Sequence, residues 1–267
     1  MRLSTLAAAQ FGLPETEAAA LIMAGRVYIG TLPADKPGED VPPDTPLILK
    51  EKARRYASRS GYKLEKALTR FELDVTDALA CDIGASNGGF TDCLLQHGAS
   101  HVAAVDVAYG ILAWELRQNA RVQVLERVNA RTLTPDMLIC EANPTGHCAI
   151  VTADVSFISL RRIFPVINAI LTENGDCVCL VKPQFEASRR QVGKNGQLRD
   201  PSALPQLLQS LMESAKADCL QVCGMTVSPI HGTHGNVEYL AHFRRETAKA
   251  EATAAIIAAA VAEAPDA

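Results

Sequence analysis

No stretch of this sequence is long and apolar enough to cross a bilayer as a helix, so an integral helical membrane protein is not expected. The charge-free run from Thr253 to Ala262 is short and mostly alanine. The uncharged run from Cys219 to Val237 is filled with Gly, Pro, His, Ser and Thr. Neither forms the amphipathic segment that a membrane-lytic protein needs. The first residues lack the basic, apolar, small-residue order of a secretory signal, so a cytoplasmic protein is expected. Cysteine is sparse, with eight in 267 residues and no C-x-x-C spacing, which excludes a disulfide scaffold and a zinc ribbon. Cys81, Cys177 and Cys179 sit in apolar runs and are expected as small core hydrophobes. Disorder is excluded in turn, because 48% of the chain is hydrophobic and the net charge is only −4.

Charge of one sign is scarce overall but not locally. Residues 1–50 carry a net charge of −2, whereas residues 51–70 carry +5. A basic stripe in an acidic protein is either a solvated helix face or a set of phosphate contacts, since lysines and arginines that neutralise phosphates release counterions. The candidates for such contacts are Arg54, Arg55, Arg59 and Lys66.

The pattern of apolar residues divides the chain. In residues 1–50, helical spacing at Leu3, Leu6, Ala7 and Phe11 and again from Glu15 to Met23 is followed by short strands at Val27 to Ile29 and Pro46 to Leu49. This predicts a small α+β domain. A basic linker spans 51–62, and the main domain is expected over 63–247. There, strand-like runs at 79–83, 102–106, 122–125, 149–153 and 177–181 alternate with helical segments, and 220–227 and 239–243 supply two more. Such alternation predicts an α/β fold, a mostly parallel seven-stranded sheet with helices on both faces. Residues 248–267 are Ala-rich and read as a terminal helix or tail.

Polar residues cluster where these strands end, the edge at which open α/β sheets bind ligands. The first strand runs into Asp82-Ile83-Gly84-Ala85-Ser86-Asn87-Gly88-Gly89-Phe90, a glycine turn without the G-x-G-x-x-G spacing of a pyrophosphate site. The second strand ends at Asp106, 22 residues after Gly84, where a carboxylate can accept hydrogen bonds from two ribose hydroxyls. A nucleoside ligand without a pyrophosphate fits S-adenosylmethionine better than NAD. Two further strands end at Asp154 and at Lys182. Burial disfavours the charged form of a lysine and makes Lys182 a candidate base, while a neighbouring Asp154 opposes that shift. His231 and His234 have H-x-x-H spacing but no third ligand nearby, so they are read as loop residues and no metal is expected.

Six motifs together resemble the TlyA family of ribosomal RNA 2′-O-methyltransferases, some of which are labelled haemolysins. They are Ser58 to Leu64, the Gly84 to Asp92 loop, Val105 to Gly110, Ala153 to Leu160, Val181 to Glu186 and Gly235 to Tyr239, and the resemblance covers roughly residues 1–245. It implies a Rossmann-like class I methyltransferase domain similar to FtsJ, an S4-type RNA-binding domain at residues 1–50, and ribosomal RNA or a ribosomal subunit as partner. The family's Lys-Asp-Lys-Glu tetrad maps onto Lys63, Asp154, Lys182 and Glu238. S-adenosylmethionine is then expected against Asp82, Gly84, Ala85, Ser86, Gly88, Gly89, Phe90, Asp106, Val107, Asn129 and Asp154. Ser60 stands where the family usually has glycine. The implied activity is methylation of a ribose 2′-hydroxyl, with cytidine the family expectation. A methyltransferase acting on a base nitrogen would carry an Asn/Asp-Pro-Pro-aromatic strand end, and a C5 enzyme a cysteine after proline; both are missing. A non-enzymatic ribosome-assembly factor would keep the basic stripe but would not need Lys182 or Asp106.

Overall fold

The computed structural model describes residues 1–267 apart from 24, 31, 35, 50–54, 195, 233, 234, 246–252 and 265–267, and apart from the side chain of Pro33. Arg54, one of the candidate phosphate contacts, and His234 lie outside the described residues. The chain divides into two compact units, Met1–Arg55 and Tyr56–Ala267.

In the first unit the predicted helical spacing becomes α1 (Leu3–Phe11) and α2 (Glu15–Met23). Ser4 and Thr5 each donate a hydroxyl hydrogen bond to Glu15 Oε1 at 2.8 Å, tying the start of one helix to the start of the next. A three-stranded antiparallel sheet follows in the order β2 (Leu32–Pro33), β1 (Val27–Ile29), β3 (Leu47–Leu49). β2, at the edge of this sheet, falls in the Pro- and Gly-rich stretch between the two expected strands, and its two residues pair with β1. Leu3, Leu6, Ala7, Ala18, Ile22, Val27 and Leu47 make the unit's own small core.

The second unit begins at Tyr56, seven residues before the expected start at 63. The reason is packing. Tyr56 is fully buried and its ring meets that of Tyr62 edge-on at 5.3 Å, so the latter half of the basic linker belongs to this unit. Its sheet is formed by β4 (Leu79–Ile83), β5 (His101–Asp106), β6 (Val122–Glu126), β7 (Cys148–Ala153), β8 (Leu171–Val181), β9 (Leu220–Val227) and β10 (Tyr239–Arg245). The strands lie in the order β6-β5-β4-β7-β8-β10-β9, parallel throughout except for β10, which runs antiparallel to both its neighbours. β8 starts six residues earlier than the apolar pattern indicates: Leu171 pairs with Cys148 and Asp176 with Ile150 and Arg244, while the residues between them interrupt both the register and the apolar run.

The period of two along each strand sorts its side chains to two cores. Cys81, Ile83, Val105, Val151, Cys177, Cys179 and Val181 face one side. That side is covered by α6 (Pro135–Leu138), α7 (Phe164–Ile170), α9 (Leu204–Ala217) and α10 (Thr253–Glu263). Ala80, Val102, Ala104, Ile150, Val178 and Leu240 face the other, under α3 (Gly61–Arg70), α4 (Gly89–Gln96) and α5 (Trp114–Arg117). A short α8 (Pro183–Glu186) follows β8. The cysteines read as core hydrophobes are fully buried and unpaired. Among the described residues, no helix is long and apolar enough to cross a membrane.

The Ala-rich end of the chain is a helix rather than a tail. Ile256, Ile257 and Ala260 of α10 are buried in the same core as β9. Replacing Ile257 with alanine should therefore destabilise the protein by about 2–5 kcal/mol, as for other buried aliphatic truncations. Urea unfolding measures it, and a change below about 0.5 kcal/mol would show α10 to be dispensable to the core.

Candidate active site

The chain leaves β4 through a turn that only glycine can make. Gly84 has φ of 85°, and a Cβ there would stand 2.5 Å from the carbonyl oxygen of Asp154 at the end of β7. The ends of β4 and β7 are thereby brought into backbone contact. The next residues fold over Val105, whose carbonyl accepts hydrogen bonds from the amides of Gly84 (2.8 Å) and Ala85 (3.1 Å). Asp106, the last residue of β5, is clamped by two amides: Ser86 N–H to Oδ2 and Ala108 N–H to Oδ1, both 2.8 Å. Each oxygen keeps a lone pair for a ligand.

These strand ends wall a cleft of about 720 Å³. Of the expected cofactor residues, Gly84, Ser86, Asp106, Val107, Asn129 and Asp154 line it. Asp82, Ala85, Gly88, Gly89 and Phe90 are not among its lining residues; they build the turn from behind. Phe90 is buried in the core. Gly89 lets the Ser58 and Ser60 hydroxyls, hydrogen-bonded to each other at 2.7 Å, come against the start of α4, where a Cβ would collide with both. Asp82 is fully buried and accepts hydrogen bonds from Thr91 Oγ1 on α4 (2.7 Å) and Thr152 Oγ1 on β7 (3.0 Å).

The wall also contains Ile111, Ser156, Phe157, Arg131 and Arg162, none of them given a site role from the sequence, although Ser156 and Phe157 belong to the Ala153 to Leu160 motif. Phe157 is 92% exposed at φ of 63°, with its ring 5.3 Å from that of Phe185. The Asp154-Val155-Ser156-Phe157 motif contained this signal, since a large aromatic directly after a strand-end Ser has no core to enter. The loop is pinned by Glu186, which accepts from Ser159 Oγ (2.5 Å) and Leu160 N–H (2.8 Å); burial pushes its carboxyl up, against these bonds.

The four residues of the expected tetrad form two ion pairs. Lys182 Nζ lies 2.6 Å from Asp154 Oδ1, and also donates to the Val155 carbonyl (3.1 Å) and Ser156 Oγ (2.9 Å). Three acceptors thus surround a group with three hydrogens. Lys63 Nζ lies 2.6 Å from Glu238 Oε2, the latter only 4% exposed. Pairing of Tyr239 with Val181 places Glu238 and Lys182 one step beyond the last register pair of β10 and β8. Both pairs therefore stand on the cleft's edge of the sheet.

Lys66, taken as a phosphate contact, is engaged elsewhere: its Nζ lies 2.8 Å from both Glu263 Oε1 and the Val227 carbonyl. Arg55 and Arg59 are exposed, as is His231. Among the described residues, no three His, Cys, Asp or Glu side chains group as a metal site.

A central parallel sheet with a glycine turn at the first strand end, an acidic second strand end and lysine-carboxylate pairs beyond defines a methyltransferase of the S-adenosylmethionine-dependent class. The chain belongs to the FtsJ-like methyltransferase family, whose model matches residues 56–245. It is 42% identical over 235 residues to the 16S/23S rRNA (cytidine-2′-O)-methyltransferase TlyA of Mycobacterium tuberculosis, covering 88% of this chain and 85% of that protein. It is 49% identical over 234 residues to YqxC of Bacillus subtilis, provisionally named an rRNA methyltransferase, covering 86% and 81%. A solved structure from Streptococcus thermophilus, provisionally described as a hemolysin, superposes with a TM-score of 0.72 at 41% identity, over 98% of this chain and 96% of that one.

Burial pushes the Asp82 carboxyl up to about 6, although its bonds from Thr91 and Thr152 act the other way. Its ordinary value is 3.8, so below that pH it is neutral both folded and unfolded. Between there and pH 6 only the unfolded chain ionises, which disfavours the fold by roughly 3 kcal/mol once complete. Asp82→Asn should accordingly gain melting temperature relative to the parent as pH rises from 4 to 6. A pH-independent difference between the two would show that Asp82 does not titrate in this window.

Proposed function

We propose that this protein transfers the methyl group of S-adenosylmethionine to the 2′-hydroxyl of a ribose, that of a cytidine, in ribosomal RNA. The observation that carries this reading is the ion pair of Lys182 with Asp154: Asp154 lines the same cleft as the Asp106 clamp, and Lys182 stands directly behind it. The residues present fit the cofactor. Gly84 leaves the backbone open for close approach, Asp106 offers free lone pairs to the ribose hydroxyls, and Val107 and Ile111 offer apolar wall for a base. When bound, the sulfonium supplies an activated methyl.

The chain's own residues must make a weak nucleophile attack it. A ribose hydroxyl loses its proton on methylation, and Lys182 Nζ, held by Asp154 and Ser156 of the cleft wall, can stabilise the developing alkoxide. Ser156 also lines the cleft, so its bond to Nζ is the one a substrate hydroxyl can replace. The hydroxyl proton then moves to Nζ as one of the lysine's own passes to Asp154. Lys63 and Glu238 hold the ribose at the neighbouring position, and positioning alone contributes much of the rate. The names of the relatives support RNA as the substrate, and cytidine among its nucleosides. The first unit and the exposed Arg55 and Arg59 are read as RNA contacts, with Arg54 beside them in sequence.

Nuclease digestion and mass spectrometry of ribosomal RNA methylated in vitro test the reading directly. The methyl is expected on ribose; methyl on a base, or none transferred despite RNA binding, would overturn it. Asp106→Ala should weaken S-adenosylmethionine binding by about 1–3 kcal/mol in calorimetry, the range for losing bonds to a charged acceptor. Lys182→Ala should lower turnover by roughly a hundredfold or more while leaving cofactor affinity unchanged. Asp154→Ala should match it in turnover, with the double variant little worse than either single one, because groups acting as a unit are not additive.

A further inference from the structure

The helix α10 lies beyond residue 245, where the match to the methyltransferase family ends. Its last residue, Glu263, nevertheless reaches the machinery described above. Oε1 accepts from Lys66 Nζ at 2.8 Å, and Oε2 accepts from Thr226 Oγ1 at 2.6 Å and from the Val227 N–H at 3.4 Å. Lys66 also donates to the Val227 carbonyl at 2.8 Å. The carboxylate therefore binds the end of β9 and the side of α3 at once.

Both of these lead to the Lys63–Glu238 pair. Lys63 and Lys66 are three residues apart on α3, neighbours on its surface. The residue after Val227, Ser228, donates its N–H to the Glu238 carbonyl at 2.8 Å. A closed circuit results: Lys63 to Glu238, Glu238 to Ser228, along the chain to Val227, across to Lys66 and back one helical turn to Lys63. Glu263 braces this circuit from outside, supplying the carboxylate that pairs with Lys66 as Glu238 does for Lys63 one helical turn away.

We propose that Glu263 is a positioning residue for methyl transfer, acting through Lys66 and the end of β9 to fix the Lys63–Glu238 pair. The proposal rests on the reading that this pair serves the reaction. It accounts for an acidic residue at the end of an otherwise apolar, alanine-rich helix. It also explains why Lys66 is held by the protein rather than presented to a phosphate.

Two readouts test it. In protein labelled with 15N-lysine, the Lys63 ammonium signal, assigned by its loss in Lys63→Arg, should shift or exchange-broaden in Glu263→Gln. In the methylation assay the same variant should lose about threefold to tenfold in kcat, the scale of one partly exposed charged contact, with KM and Kd for S-adenosylmethionine unchanged. Lys66→Met should reproduce both effects, and adding Glu263→Gln to it should change little further. Ile256→Val, which loosens the helix without touching the charges, should lower the melting temperature and leave both readouts in place. An unmoved Lys63 signal in Glu263→Gln overturns the proposal, as does Ile256→Val reproducing the change at equal loss of melting temperature. If the parent protein transfers no methyl, the functional reading falls while the Lys63 signal still decides this one.

Discussion

The approach of Gly84 to the Asp154 carbonyl is the contact on which the site depends. It joins the ends of β4 and β7, the two strands between which the chain changes its direction of winding across the sheet. A side chain at this turn would force these ends apart and separate the Asp106 clamp from Lys182 and Asp154. Because every parallel strand delivers its carboxyl end to the same edge, one glycine is enough to make a single cleft out of four strand ends. Asp82 braces the turn from beneath, bonded to α4 on one side and β7 on the other.

Electrostatics decide what the cleft can do. Two lysines and two carboxylates are withdrawn from water at its edge, each lysine side chain about a tenth exposed. Removing one partner from such a pair leaves a buried charge and typically costs about 3–5 kcal/mol, whereas the intact pair contributes little net stability. The arrangement is therefore better explained by chemistry than by folding. An ammonium held by three acceptors, one of them a serine on the cleft wall, is the feature the proposed reaction uses, with a substrate hydroxyl taking over the serine's bond on that reading.

Much of this was legible in the amino-acid order, and the parts that were not share a cause. Strand periodicity marked six of the seven sheet strands closely, since burial on both faces demands continuous apolar runs. The early start of β8 was hidden because Leu171 and Asp176 pair with their neighbours across a register shift, and the residues between them break the apolar run. Asp106 itself was marked by its 22-residue spacing from Gly84, whereas Ile111, Arg131 and Arg162 reach the cleft on connections between strands and helices whose paths no local pattern specifies. The basic stripe was visible, but not that Lys66 is paired with a carboxylate 197 positions away.

The sequence by itself determined the α/β class, the two-part organisation and the residue types at each strand end, because these follow from periodicity and from the conformational freedom of glycine. It also carried the tetrad, though only through resemblance to a family. Which lysine pairs with which carboxylate was decided by tertiary structure alone. Lys63 and Glu238 stand 175 residues apart and meet only because β10 inserts antiparallel beside β8 and α3 lies across that end of the sheet. Likewise the boundary at Tyr56 and the burial of α10 depend on shape complementarity between distant surfaces, a property of packed side chains that has no period along the chain.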